Sequence, residues 1–173
     1  MELFLDFLKL IIPAALVLYA MYLTITSFLN KDFDKKLVEI KARNIEIVLP
    51  IRLQAYERII LFLERITPNN LILRVSNPAY SAKEFQQVLL KEIREEFNHN
   101  LSQQVYLSDK AWLEVKKAVE DLMVVINNSS NTLHQDSSGL DLAKRIFENI
   151  IENNTDITSE AISFIKNEIR QVF

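Results

Sequence analysis

A chain of 173 residues has room for one domain and an appendage. One glycine and four prolines leave few turn residues, which favours helices joined by short loops. A formal net charge of −3 gives no electrostatic capture of nucleic acid, and zero cysteines exclude a disulfide framework, a thiolate nucleophile and a cysteine metal cluster.

Residues 10–29, LIIPAALVLYAMYLTITSFL, are 20 consecutive residues without a charge. As a helix they span about 30 Å, the thickness of a hydrocarbon core. They predict an uncleaved transmembrane anchor over 1–30. A cleaved signal peptide is the main rival, but Glu2 and Asp6 against a single Lys9 make a poor n-region and the run is too long for an h-region. A buried core helix is the third reading. Lys31, Lys35, Lys36, Lys41 and Arg43 follow the span while only Lys9 precedes it, so the positive-inside bias sets the C-terminal bulk in the cytoplasm. Tyr19, Tyr22 and Thr26 fall at i, i+3 and i+7 on one face. They are candidates for contact with another membrane helix, against the plainer reading of a lipid-facing anchor.

Residues 31–49 read as a juxtamembrane linker or a continuation of the membrane helix. Their basic cluster is diluted by Asp32, Asp34, Glu39 and Glu46, so its meaning is topology rather than headgroup binding. From Pro50 to Ile66 the stretch IRLQAYERIILFLERI has a wide apolar arc built on Leu53, Tyr56, Ile59, Ile60, Leu63 and Ile66. Glu57, Arg58, Glu64 and Arg65 exclude a second span. Arg52 falls inside the arc one turn before Tyr56, either snorkelling at the helix start or paired with an acid.

Thr67 and Pro68 stop that helix, and the alternation Leu71, Leu73, Val75 raises one short strand at 71–76 with a partner at 103–107. Ser81 and Glu84 form a capping box for the next helix, whose core face is Ala82, Phe85, Val88, Leu89, Ile93 and Phe97. Ser108 caps another, with Trp112, Val115, Val119, Leu122 and Ile126 at spacings of three and four. The polar segment 127–139, NNSSNTLHQDSSG, predicts a mobile loop. Two shorter helices follow, marked by Ala143, Ile146, Phe147, Ile150 and Ile151, then by Ile162, Ile165, Ile169, Val172 and Phe173.

Chemistry is sparse. Glu96 and His99 make one Glu-x-x-His pair, yet a di-iron bundle needs a second, and the residue three before His134 is Asn131. No glycine-rich phosphate loop is possible with Gly139 alone, and no Gly-x-Ser-x-Gly elbow exists. Three glycosylation-type sequons, at Asn100, Asn128 and Asn153, are chance matches in an Asn-rich chain.

Three blocks, LPIRLQAYERIILFLERITPNNLILRV at 49–75, EFNHNLSQQVYLSDKAW at 96–112 and the terminal IRQVF, resemble a family of single-span bacterial membrane proteins known only as a domain of unknown function. The resemblance implies a bacterial origin and inner-membrane attachment, and brings no activity and no functional residues.

The sequence thus predicts a mainly α protein: an anchor at 1–30, a linker at 31–49, and a cytoplasmic helical domain of about five helices at 50–173, with an optional short β pair. The expected function is a membrane-anchored interaction or scaffolding protein, an accessory subunit of an inner-membrane complex with the bilayer and other proteins, or a second copy of itself, as partners. No enzyme activity, cofactor, metal or nucleic-acid partner is expected. The alternative is a ligand-binding sensor with a pocket between helices near Arg52, Tyr56, Arg74 and Trp112.

Overall fold

The structure, a computed structural model, describes residues 2–152 and 157–172, and leaves the side chains of 2–10, 13, 14 and 172 outside the description. The chain divides into two compact units, Met1–Leu49 and Pro50–Phe173. Helix α1 runs over Glu2–Ile66, followed by α2 (Pro68–Val75), α3 (Ala82–Asn100), a 3-10 turn (Leu101–Val105), α4 (Asp109–Asn131), α5 (Gly139–Glu152) and α6 (Ile157–Val172). Pro50 lies inside α1 instead of opening a new helix. An interior proline removes one hydrogen bond, and α1 continues through it.

The predicted membrane span is corrected. Among the described residues no helix is long and apolar enough to cross a membrane. Tyr19, Tyr22, Thr24, Thr26 and Ser27 dilute the apolarity of α1 ahead of Lys31 and Asp32, where its uncharged run ends. The single-pass topology, the inner-membrane localisation and the cytoplasmic side assigned to 50–173 rested on that span and fall with it.

The second unit is built around α4. Its buried face, Ala111, Val115, Ala118, Val119, Leu122 and Ile126, packs against α3, α5 and α6. The end of α1 supplies Tyr56, Ile59, Phe62, Leu63 and Ile66, all 2% exposed or less. Leu53, on the edge of the predicted arc, is instead 44% exposed. Ser81 and Glu84 close the capping box on α3, and Ser108 caps α4 by accepting from the Ala111 amide.

The optional β pair is also corrected, since Leu71–Val75 forms the end of α2 and 103–105 belongs to the 3-10 turn. Pro68 starts α2 with its ring in the first turn. Leu71, Ile72 and Val75 then share one helical face on the core, while Leu73 points out. The apparent alternation is one turn of an amphipathic helix sampled at two-residue steps.

The polar segment 127–139 is mostly ordered as well, because α4 continues to Asn131. Gln86 on α3 donates to Asn127 Oδ1 at 2.8 Å and accepts from Ser130 Oγ at 2.9 Å. Ser129 is fully buried, and Asn149 of α5 reaches its hydroxyl at 3.5 Å. Small polar residues here make the helix–helix contact that apolar ones make elsewhere. Only 132–138 connects α4 to α5. The α3 and α5 starts are tied together by Ala82 N donating to the Ser137 carbonyl at 2.8 Å and Gly139 N donating to the Tyr80 carbonyl at 2.9 Å. A Cβ on Gly139 would lie 3.2 Å from that carbonyl oxygen and 3.3 Å from Phe85 Cβ, so this close approach accounts for the one glycine.

Candidate functional site

Three elements of the second unit meet at Glu168. It sits on α6 between Ile165 and Ile169, at the edge of that helix's apolar face. Its carboxylate accepts from the Tyr56 hydroxyl on α1, from the Ser108 hydroxyl, and from the Ser108 amide at 3.3 Å. Ser108 Oγ in turn accepts from the Ala111 amide at 3.1 Å. One carboxylate therefore completes the cap of α4 while fastening α6 to α1. Arg52 donates from Nη2 to Tyr56 Oη at 3.3 Å and from Nε to the Tyr106 carbonyl at 3.3 Å. Its guanidinium carbon lies 5.9 Å from the Tyr56 ring centroid.

The two acidic groups are pushed apart. Burial first, then the bond to Glu168, raises the Tyr56 hydroxyl above its ordinary value, against a smaller pull from Arg52. Burial alone would raise Glu168. The hydrogen bonds from Ser108 and Tyr56, with the Arg52 charge, outweigh it and hold the carboxyl below its ordinary value. A proton-transfer group works best when its pKa lies near the operating pH. Both groups move away from neutrality, so the arrangement is built to fasten helices.

A second cluster gathers at a groove of ≈570 Å³ between the end of α1 and α3, with Arg65, Glu92 and Glu96 in its lining and Arg74 of α2 paired to Glu92 outside it. Arg65 donates to Glu96 Oε1 from Nε at 2.8 Å and Nη2 at 2.6 Å, and Arg74 Nη1 donates to Glu92 Oε2 at 2.8 Å with Glu96 3.9 Å away. Arg58, Leu61 and His99 complete the rim. The Glu96 carboxylate of the Glu-x-x-His pair is thus committed to arginines. No group of three metal-ligating side chains stands together among the described residues.

Of the sequence-singled residues, Arg52 and Tyr56 come together at Glu168. Arg52 neither snorkels free nor binds the acid directly; it is half-buried and reaches the carboxylate through the Tyr56 hydroxyl. Arg74 stands in the groove cluster with Glu92. Trp112 stacks on Phe97 at 5.5 Å between centroids, and Phe97 meets Phe62 at 6.1 Å, an aromatic row within the α1–α3–α4 packing. In the first unit Tyr19 and Tyr22 are 61% and 62% exposed, and Thr26 Oγ1 is spent on the Tyr22 and Leu23 carbonyls at 2.9 and 3.1 Å.

Glu168 is the residue that sequence reading missed. Its signal was an acid flanked by Ile165 and Ile169 on a face otherwise apolar. The Arg65–Glu96 pair, 31 residues apart in sequence, had no local signal at all.

Fold and site define an all-helical protein with a tightly fastened C-terminal unit and a long N-terminal helix. The chain belongs to DUF7935, a family of unknown function whose model matches residues 2–172. No curated protein and no solved structure matches the chain.

Proposed function

We propose that the protein is an interaction or scaffolding subunit that docks other helices along α1 and serves a larger assembly; a bacterial source is inferred with it from the family resemblance. One observation carries this reading. In the first unit Phe33, Leu37, Ile40 and Ile47 lie bare, each more than half exposed, on a helix that the unit itself does not cover. Monomeric soluble proteins rarely leave apolar surface of that extent without a partner for it. The reading is non-enzymatic, and its C-terminal unit acts as a rigid platform held by Glu168.

A photo-crosslinking residue at Ile40 in the full chain, activated in cells, tests it. Defined adducts are expected that disappear when Phe33→Glu is added, while the unfolding midpoint of the second unit stays unchanged. Absence of any adduct from Ile40, or adducts indifferent to Phe33→Glu, would sink the docking function.

A further inference from the structure

Seven of the large apolar residues over 16–47 fall on one heptad seam of α1, while others such as Ile25, Phe28, Val38 and Ile45 lie outside it. Counting Leu37 as position a, the a residues are Leu16, Leu23, Asn30, Leu37 and Asn44, and the d residues are Tyr19, Thr26, Phe33, Ile40 and Ile47. The spacing alternates strictly between three and four over residues 16–47, which is the seam of a left-handed coiled coil. All ten residues lie on α1, and its seven apolar members are 47–68% exposed, so nothing within the unit covers them.

The two asparagines say what does cover them. An Asn side chain in an apolar layer needs a partner for both its amide and its carbonyl. In an antiparallel pair every a residue faces a d residue, so Asn30 and Asn44 would face tyrosine, threonine, phenylalanine or isoleucine. The fullest antiparallel overlap sets Asn30 against Phe33, which offers no hydrogen bond, and Asn44 against Tyr19. In a parallel, in-register pair of identical chains each Asn meets its own counterpart, and the two amides satisfy one another. An Asn at position a is the known device for fixing two strands in register.

We infer that the first unit pairs with a second copy of this chain as a parallel, in-register two-stranded coiled coil over residues 16–47. This rests on the docking reading above and names its partner. The buried area is adequate: seven apolar side chains per copy at roughly 100 Å² each remove on the order of 1,400 Å², within the ~1,200–2,000 Å² of specific interfaces.

Charge pulls the other way and so supplies the test. In the parallel pair Lys36 at position g faces Lys41 at position e of the partner copy, a repulsion. In the fullest antiparallel overlap Lys41 comes beside Ala20 and Ser27 of the other copy and meets no charge. Exposed charge pairs are worth several-fold less than an amide left unpaired in an apolar layer, so the asparagines prevail and the charges only tune the affinity. Lys41→Glu therefore strengthens the parallel pair and leaves the antiparallel pair unchanged.

The experiment uses the full chain, in sedimentation equilibrium and mild oxidation. Its lack of cysteine makes a single introduced thiol unambiguous. Ile47→Cys is expected to give a disulfide-linked dimer, because like d positions lie within the ~4.4–6.8 Å Cα separation that a disulfide needs. Lys41→Glu is expected to tighten the dimer about fivefold. Association unchanged or weakened in Lys41→Glu, or no linkage through Ile47→Cys in a chain that still dimerises, would overturn the parallel pair. A chain that stays monomeric at high micromolar concentration would also overturn it; if Ile40 still crosslinked to a different protein, the docking function would stand without self-pairing. Every substitution lies outside the packed unit, and circular dichroism of each variant confirms that the fold is unchanged.

Discussion

Helix α1 carries isoleucine and phenylalanine in both units, and their fates differ completely. Phe33 and Ile47 in the first unit are 68% and 65% exposed, while Ile59, Phe62 and Ile66 in the second are 1% or less. The residue types are the same and so is the backbone, so propensity does not decide burial. The difference lies in what is packed alongside: α2, α3 and α4 bring their own apolar faces to the end of α1, and the first unit contains nothing but helix.

The sharpest way to break this comparison is to truncate one phenylalanine from each side. Phe62→Ala opens a cavity beside Phe97 and is expected to destabilise the second unit by about 3–5 kcal/mol. Phe33→Ala is expected to shift the same urea transition by no more than about 0.5 kcal/mol. Equal shifts in the two variants would mean that Phe33 contributes to the stability of the second unit.

Glu168 gives the next largest effect. Glu168→Gln keeps the shape but weakens three hydrogen bonds to a charged acceptor, and partial exposure moderates the loss to about 1–2 kcal/mol at neutral pH. Its folded carboxyl titrates below the ordinary 4.5, so its contribution is present above that pH and is lost as pH falls through the folded value. The gap between wild type and Glu168→Gln in thermal melts should therefore close in acid. Tyr56 works at the opposite end: its folded value is raised above 10.0, so its contribution is present below pH 10 and is lost as pH rises through the folded value. Tyr56→Phe should flatten the alkaline limb and, because its hydroxyl is one of the donors that lower Glu168, soften the acid limb as well. A gap that persisted at pH 3 would show that Glu168 acts by packing alone.

Gly139→Ala comes third. The added methyl meets the Tyr80 carbonyl at 3.2 Å, and that carbonyl is fixed by its bond from Gly139 N, so the α3 and α5 starts must part. Overpacking costs about 1–3 kcal/mol, against a gain of about 0.4–1 kcal/mol from the stiffer unfolded chain. A net loss near 1 kcal/mol is expected in urea unfolding, and a stabilised variant would mean that the junction yields.

These three sites also show what was legible in advance. The capping residues Ser81 and Ser108 were readable because a cap is a local event within one turn of the helix it starts. The core faces of α3 and α4 were readable from spacing. Glu168 was not, because its partners lie 60 and 112 residues away and become neighbours only when α6 docks. The polar run at 127–139 misled because composition was taken for exposure; Gln86 supplies the hydrogen bonds that allow Asn127 and Ser130 to sit between helices. The anchor prediction misled in its own way, through weighing the uncharged length over 10–29 more heavily than the tyrosines, threonines and serine inside it. The heptad positions of Asn30 and Asn44 are hard to read for a related reason, since 1–30 is dominated by its apolarity and 31–49 by its charge.

The smallest expected effect returns to the two units through their ion pairs. Asp32–Lys36 in the first unit is one turn apart on an open surface, with side chains 47% and 68% exposed, and Asp32→Asn should leave unfolding unchanged within error. Glu96 in the second unit is only 18% exposed and stands between Arg65 and Arg74. Removing Arg65 leaves Arg74 3.9 Å from the same carboxylate, close enough to take over, so Arg65→Met should cost at most about 0.5 kcal/mol. Removing both arginines leaves the carboxylate with neither cation, and the double variant should lose more than the two single losses combined. A double-mutant cycle in low salt measures that excess. An additive result would mean that the two arginines act independently, and that the groove between α1 and α3 is held by its apolar contacts alone.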